Sequence, residues 1–321
     1  MPRPSRPPSR AWSPSIRSSR RSSLSCARDR QNYSRDVTTP PPSDDSAPVT
    51  PVDEVPGGTD LAEAAPGDVA PVRKRRRGVR ILWWTLGSIV VVLIAAVVGV
   101  LVWSQLGVMA AEPDPLASVR ADPAITITDH PEGIVLAPAE GESTVGLVYI
   151  PGAKVDPWAY AAKMSGVVAD DDITVVITKP WLNLAFFDLR PLSTFTSLAP
   201  GIDTWIVGGH SLGGVKACQL APDADALVLF ASYCANDLSR SGLPVLSIAG
   251  SEDGLSTPEK IADARHLLPA DAQLIEIPGA GHASFGNYGP QPGDGDPTIS
   301  DAEMTDVLTA LVGGFATSVA P

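Results

Sequence analysis

The chain has 321 residues, of which 44% are hydrophobic, and its formal net charge at pH 7 is −12. The charge is unevenly distributed, because residues 1–103 carry 15 basic and 9 acidic side chains whereas residues 104–321 carry 9 basic and 27 acidic ones. A C-terminal part this acidic is a poor candidate for binding nucleic acid, and we expect it to stay in water beside a membrane rather than lie on an anionic lipid surface.

Residues 1–72 are rich in Ser, Arg and Pro and then in Pro, Asp and Ala, with few large apolar side chains. Such a segment cannot bury enough apolar surface to offset the loss of chain entropy, so we predict a disordered tail. The Arg-rich first 35 residues would also fit a transit peptide or a nucleic-acid-binding arm. We favour a solvated tail, or a start codon assigned upstream of the true one.

A basic segment and an apolar segment follow. Residues 73–80 hold six basic side chains, and residues 81–103 hold no charged one. At about 1.5 Å per residue, the second segment spans roughly 34 Å as a helix, which is enough to cross a bilayer. Tryptophans lie near both ends, at positions 83, 84 and 103, as is usual where a helix meets the lipid headgroups.

We therefore predict a single transmembrane helix over residues 81–103, with the basic segment 73–80 on the cytoplasmic side. By the positive-inside rule, the N-terminus is cytoplasmic and everything after the helix is extracytoplasmic. A cleaved signal peptide is the alternative, because small residues follow the apolar run at positions 108–111. The length of the apolar run and its distance from the N-terminus favour an uncleaved anchor.

After a linker over residues 104–123, apolar strand-like runs alternate with helix-like segments through residues 124–321. The first two runs, residues 125–128 and 134–136, predict a hairpin. The later predicted strands are residues 145–150, 173–178, 204–207, 226–231, 245–249 and 273–277. The predicted helices are residues 156–165, a helix beginning at 212, residues 257–267 and residues 300–318. This alternation predicts an α/β fold whose central sheet is mostly parallel, with helices on both faces.

The segment 207–214, with the sequence VGGHSLGG, is the most informative one for chemistry. It places a GxSxG pattern between a predicted strand and a predicted helix, and that context presents a serine as a nucleophile. Gly209 and Gly213 allow the strand and the helix to pack closely while the Ser211 hydroxyl projects outward. A glycine-rich turn with an incidental serine is the alternative.

A serine nucleophile needs a base, and the base needs an acid that orients it. Of the four histidines, His282 is our candidate, because it lies in a loop after the last predicted strand. Asp253 is the candidate acid, because it follows the strand 245–249 at its C-terminal end, and its neighbour Glu252 is expected to point elsewhere. The chain order Ser211, Asp253, His282 is the order that this type of serine hydrolase requires.

Two backbone N–H groups are needed to stabilise the oxyanion that forms on the substrate. One is predicted to come from Leu212, at the start of the helix after the nucleophile. The other is predicted to come from the loop after the strand 145–150, where Ala153 is the better candidate and Lys154 the second. An ordinary strand-to-helix turn is the alternative for this loop.

Four segments carry a family resemblance: 149–157 (YIPGAKVDP), 208–214 (GGHSLGG), 248–254 (IAGSEDG) and 279–289 (GAGHASFGNYG). On these motifs, residues 125–315 resemble the α/β-hydrolase superfamily and, within it, the small single-domain branch similar to dienelactone hydrolases and carboxylesterases. Dienelactone hydrolases have a cysteine nucleophile where this chain has Ser211. Only residues 232–244 lie where larger relatives insert a cap domain, so the resemblance implies a site without a lid.

Two other segments each fit more than one role. The apolar segment 181–187 is expected either to line an acyl pocket or to pack as a helix face against the sheet. The Gly- and Pro-rich loop 288–296, with its two aspartates, is expected to be a plain ordered loop, although it would also fit a pocket rim or a cation site.

The chain has only three cysteines and four histidines, which limits the possible disulfides and metal sites. Cys218 and Cys234 are expected to be buried thiols, because their separation is expected to exceed the reach of a disulfide. A disulfide between them is the alternative. No cysteine or histidine spacing suggests a metal site, and we expect no cofactor.

Together these features predict a membrane-anchored serine hydrolase that cleaves a carboxylic ester or related acyl bond of a small-molecule or lipid-like substrate. Two other functions stay open: an acyltransferase acting on cell-envelope lipids or glycans, and a non-catalytic envelope binding protein that has kept the fold.

Overall fold

The computed structural model describes residues 75–320. The predicted disorder of residues 1–72 therefore falls outside the described residues. The first element is the helix α1, Arg75–Gln105, which over Arg77–Gln105 is long and apolar enough to cross a membrane by length and composition. It is longer than the predicted span 81–103, because most of the basic segment continues the same helix.

The predicted linker is a structured part of the domain. It contains the helix α2, Pro113–Arg120, with Pro113 at its first position and Val119 buried. Upstream of α2, Met109 forms a parallel bridge with Val155. Residues 104–123 are therefore more than a plain linker, since they lie within the compact unit Thr85–Pro321 and pack Met109, Leu116 and Val119 against its apolar core.

The centre of the fold is an eight-stranded sheet in the order β1-β2-β4-β3-β5-β6-β7-β8. Its strands are β1 Ile125–Asp129, β2 Gly133–Pro138, β3 Val145–Ile150, β4 Thr174–Thr178, β5 Thr204–His210, β6 Ala226–Phe230, β7 Val245–Gly250 and β8 Gln273–Ile277. The first two form the predicted hairpin, and β2 also pairs antiparallel with β4. All other neighbours pair in parallel, so the carboxyl ends of β3 to β8 share one edge of the sheet.

Helices cover both faces of this sheet, as predicted. They are α3 Ala161–Ala169, α4 Ser193–Thr196, α5 Leu212–Leu220, α6 Pro258–Asp263 and α7 Asp301–Val319. Buried side chains of α2, α3 and α7 pack in one apolar core on one face. Those of α4 and α5 pack in a second core on the other face. The alternating side chains of the strands supply both cores, as expected of a sheet buried on both sides.

Two predicted segments differ in detail. The strand expected at 204–207 extends to His210, three residues further, because the nucleophile turn begins only after it. The segment 181–187 forms two single turns of 3-10 helix, Trp181–Asn183 and Ala185–Phe187, in which only Ala185 is buried. Packing of this segment against the sheet as a helix face was therefore a wrong prediction.

Cys218 and Cys234 form a disulfide, with their Cα atoms 5.6 Å apart. The prediction that they lie out of reach was wrong, because after β6 ends at Phe230 the chain returns to α5, which holds Cys218. Asn236 stabilises this return by donating from Nδ2 to the carbonyl of Cys218 at 3.0 Å.

Candidate active site

Ser211 occupies a sharp turn between β5 and α5. Its backbone has φ 53° and ψ −122°, a left-handed conformation that non-glycine residues rarely adopt and that is typical of a nucleophile held by its surroundings. The turn needs glycine on both sides, since a Cβ on Gly209 would lie 2.5 Å from the Gly213 carbonyl, and a Cβ on Gly213 would lie 2.0 Å from the Ile150 oxygen. The prediction of close strand and helix packing at these two glycines is confirmed.

Asp253 and His282 meet at the carboxyl edge of the sheet, next to this turn. The carboxylate Oδ2 of Asp253 accepts a hydrogen bond from His282 Nδ1 at 2.8 Å, and both residues are buried. The other oxygen, Oδ1, accepts from the backbone N–H groups of Leu255 at 2.8 Å and Ser256 at 2.7 Å. Asp253 is therefore held as an acceptor on both oxygens, whereas Glu252 is exposed and bonds Ser251.

A second aspartate, Asp294, stabilises the loop that contains His282 by accepting hydrogen bonds from its backbone. Its carboxylate accepts from the backbone N–H groups of His282 and Ala283, each at 2.8 Å, and of Gly254 at 3.2 Å. It thereby ties the loop of the base to the loop of the acid. The sequence marked Asp294 only as one of two acids in a Gly- and Pro-rich loop, because nothing local identifies its partners.

His210, the residue before Ser211, belongs to a buried chain of hydrogen bonds. Gly152 N–H donates to the Tyr160 hydroxyl at 3.0 Å, and that hydroxyl lies 2.9 Å from His210 Nδ1. His210 Nε2 lies 3.1 Å from the carbonyl oxygen of His282. Because a carbonyl only accepts, Nε2 carries the proton and Nδ1 accepts from Tyr160. The chain links three loops of the site through one neutral imidazole.

The pKa values of this buried chain follow from its environment. Burial lowers the pKa of His210 well below its usual range, and the neighbouring His282 lowers it further. Burial also raises the pKa of the Tyr160 hydroxyl. Both groups are therefore neutral at physiological pH, as the donor and acceptor pattern requires.

The loop after β3 leaves one N–H group without a backbone or side-chain acceptor in the described part of the chain. Pro151 has no N–H, Gly152 donates to Tyr160, and Lys154 N–H donates to the carbonyl of Asn183 at 2.8 Å. Ala153 N–H is the one that remains. On the other side of the turn, Leu212 is the first residue of α5, where backbone N–H groups have no partner within the helix.

Ser211 and His282 are neighbours through His210, whose ring centroid lies 4.5 Å from that of His282. Within residues 75–320, however, no hydrogen bond joins Ser211 Oγ to His282 Nε2. Such bonds are often long in an unliganded hydrolase and shorten when substrate binds. The structure thus joins the predicted acid and the predicted base by a direct hydrogen bond. The predicted nucleophile, Ser211, is connected to them through its neighbour His210, whose ring contacts that of His282.

No group of three or more His, Cys, Asp or Glu side chains within residues 75–320 is arranged to hold a metal ion. The chemistry available at this edge of the sheet is that of a hydroxyl, an imidazole, a carboxylate and backbone N–H groups. That set is suited to nucleophilic attack on a carbonyl carbon.

No curated protein matches the chain. A family model does match it over residues 146–306, which covers β3 through the start of α7 and all the loops described above. Its description is the alpha/beta hydrolase family, and the matched span is half of the chain. The chain is therefore a member of the alpha/beta hydrolase family.

Proposed function

We propose that this hydrolase is a membrane-anchored serine esterase that cleaves a carboxylic ester or a related acyl bond with Ser211, His282 and Asp253. The observation that supports this most directly is the buried hydrogen bond of 2.8 Å between Asp253 and His282, beside a serine in a strained turn at the start of a helix. An acid that orients a base next to an activated serine is the arrangement that acyl transfer to serine requires.

In the proposed reaction, Ser211 Oγ attacks the carbonyl carbon while His282 Nε2 takes the hydroxyl proton. Asp253 accepts the Nδ1 proton, holds the ring orientation and stabilises the imidazolium. The N–H groups of Leu212 and Ala153 stabilise the negative oxygen of the tetrahedral intermediate. When the intermediate collapses, His282 returns the proton to the leaving alcohol, and an acyl group stays on Ser211.

Water completes the cycle. His282 takes a proton from a water molecule as that water attacks the acyl carbon, and it then returns a proton to Ser211 Oγ as the carboxylic acid leaves. Every proton is thus moved by His282. The scheme uses only side chains and backbone N–H groups that meet at the site.

Two observations support the proposed anchoring and its orientation. The large apolar side chains of α1 are exposed to the surroundings from Val79 to Trp103, and a continuous apolar surface of this size is typical of a helix in lipid. The disulfide between Cys218 and Cys234 is typical of proteins outside the reducing cytoplasm. It supports an extracytoplasmic catalytic domain and a cytoplasmic N-terminus.

The proposal is tested with a fluorophosphonate probe and a panel of p-nitrophenyl esters, with the full chain in detergent. We expect the probe to label the wild type but not Ser211→Ala, and ester hydrolysis to fall to background in Ser211→Ala and His282→Ala. Ser284→Ala is the matched control, because Ser284 is a buried serine of the same edge whose hydroxyl accepts from Gly281 N–H. Equal labelling of the wild type and Ser211→Ala would exclude Ser211 as the nucleophile.

A further inference from the structure

The end of α1 contacts the loops that surround the candidate active site. Lys154, the residue after Ala153, donates from Nζ to the carbonyl oxygens of Trp103 at 2.5 Å and Leu106 at 2.9 Å. Its ammonium group also lies 3.9 Å from the centroid of the Trp103 ring. Asn183 donates from Nδ2 to the carbonyl of Ser104 at 3.1 Å.

The segment that follows α1 extends this contact across the site. Met109 N–H donates to the carbonyl of Lys154 at 2.7 Å, and the carbonyl of Met109 accepts from Asp156 N–H at 2.9 Å. Glu112 N–H donates to the carbonyl of Asn287, in the loop after His282, at 2.8 Å. The chain that leaves α1 is therefore bonded first to the loop of Ala153 and then to the loop of His282.

The same edge of the domain holds a concentration of exposed apolar side chains. We define the apolar patch as Trp181, Phe186, Phe187 and Leu189, which are 50%, 66%, 45% and 79% exposed. Past Leu106, the other large apolar side chain of the described residues that is exposed is Leu274. The apolar patch thus holds nearly all the exposed large apolar side chains of the domain in nine consecutive positions, which is unusual for a surface that faces water.

Hydrogen bonds connect the apolar patch to the C-terminal end of α1. Asn183, which bonds Ser104 at the end of α1, is the last residue of the Trp181–Asn183 turn, and its carbonyl accepts from Lys154 N–H. Trp103, whose ring contacts the Lys154 ammonium group, is the tryptophan at the C-terminal end of the apolar span. Tryptophan and lysine in this arrangement are typical of the boundary between lipid tails and headgroups.

We propose that the apolar patch inserts into the headgroup region of the bilayer crossed by α1, so that the candidate active site opens toward the lipid leaflet and its substrate is an acyl ester held in that leaflet. This inference rests on the proposed anchor and esterase activity. It revises the expectation from net charge that the domain stays in water beside the membrane. The negative charge belongs to the domain as a whole. Within the nine positions of the apolar patch the one charged residue is Asp188, which is buried and paired with Arg190, and Arg190 lies over the Trp181 ring.

A membrane-facing site gives the apolar patch a role in substrate transfer. An ester with a long acyl chain loses apolar contact when it leaves the bilayer, and the cost rises with each CH₂ exposed to water. Contact between the apolar patch and the lipid tails lets such a chain move from the leaflet to Ser211 without crossing water. A short, soluble ester needs no such path. A comparison of the two kinds of ester therefore distinguishes insertion of the apolar patch into the bilayer from the hydrolytic reaction itself.

The insertion is tested first by a readout that needs no activity. Phe186→Cys, in a chain where Cys26 is replaced by serine, is labelled with an environment-sensitive fluorophore and reconstituted in phosphatidylcholine vesicles. Leu274→Cys, which replaces an exposed apolar residue on β8, is the matched control. We expect brominated phosphatidylcholine to quench the label at position 186 and to leave the label at 274 unchanged.

Equal quenching at both positions, or none at 186, would overturn the inference. A blue-shifted emission at 186 that brominated lipid does not quench would assign the apolar patch to a protein partner and would also overturn it.

Activity supplies the second readout. The double variant Phe186→Ser, Leu189→Ser is compared with Leu274→Ser on p-nitrophenyl palmitate in phosphatidylcholine vesicles and on soluble p-nitrophenyl acetate. We expect the ratio of the two rates to fall by about tenfold or more in the double variant, since each lost side chain removes apolar burial in lipid. The ratio in the control should match the wild type, and an unchanged ratio in the double variant would contradict the inference. If neither ester is cleaved by the wild type, the proposed esterase function fails instead, and the quenching result still stands.

Discussion

Replacing Asp253 by asparagine should reduce turnover by changing which nitrogen of His282 carries the proton. In the wild type, Oδ1 of Asp253 accepts from the backbone N–H groups of Leu255 and Ser256, and Oδ2 accepts from His282 Nδ1. The asparagine oxygen must take the place of Oδ1, because the opposite orientation would set an NH₂ group against two N–H donors. The NH₂ group then faces Nδ1.

The consequence for His282 follows from its hydrogen-bonding capacity. A neutral imidazole that faces an NH₂ group accepts at Nδ1 and carries its proton on Nε2. With Nε2 protonated, the ring cannot take the proton of Ser211. A substitution of this kind lowers kcat by about 10⁴-fold in serine proteases, which corresponds to about 5.5 kcal/mol of activation free energy. Shape and volume are nearly unchanged, so we expect the variant to fold.

The measurement is kcat for p-nitrophenyl acetate, together with the rate of fluorophosphonate labelling and the melting temperature. Glu252→Gln is the matched control, because it makes the same chemical change at the adjacent, exposed carboxylate. We expect the control to retain wild-type turnover. A folded Asp253→Asn variant with kcat within about tenfold of wild type would refute the proposed role of Asp253.

Two further predictions concern stability. Because the disulfide joins residues 16 positions apart, Cys218→Ala combined with Cys234→Ala should lower the free energy of unfolding by about 3 kcal/mol, measured by denaturant titration; a loss equal to that of a reduced wild type is expected, and no loss would show that the bond does not constrain the unfolded chain. His210 is held neutral by burial, with a pKa below its unfolded value of 6.5. Its contribution to stability is therefore complete above pH 6.5 and is lost as the pH falls through the folded pKa, since the unfolded state binds the proton first. The melting temperature of His210→Gln should fall less than that of wild type between neutral and acidic pH, and identical pH profiles would contradict this explanation.

Much of the fold follows from local patterns. The strands β3, β4 and β6 are mostly apolar runs, and every one of their residues is buried, as expected of strands covered on both faces. In the structure, Asp156 and Ser300 cap the start of two predicted helical segments, since each side chain accepts from a backbone N–H group two or three residues later.

The candidate site was readable for a related reason. In a parallel sheet, a loop that follows a strand lies at the carboxyl edge, so Ser211, Asp253 and His282 are directed to one place by their positions in the chain. Glycines around the serine turn indicated Ser211 as the candidate nucleophile, because only glycine fits the close approach of β5 and α5. Which N–H group of the loop after β3 is free needed the structure, since the partners of Gly152 and Lys154 lie in Tyr160 and Asn183.

The sequence by itself thus determined the strands, the four longer helices of the domain, the apolar span and the candidate site residues, because each was recognised from a local pattern or from its position after a strand. The helices α2 and α4 were not predicted. Tertiary structure alone decided the disulfide, the support of His282 by Asp294 and the buried chain through Tyr160 and His210. It also decided that the segment leaving α1 is bonded to the loops of Ala153 and His282. These features join residues that are distant in sequence, and the separation of two such residues depends on how every element between them packs.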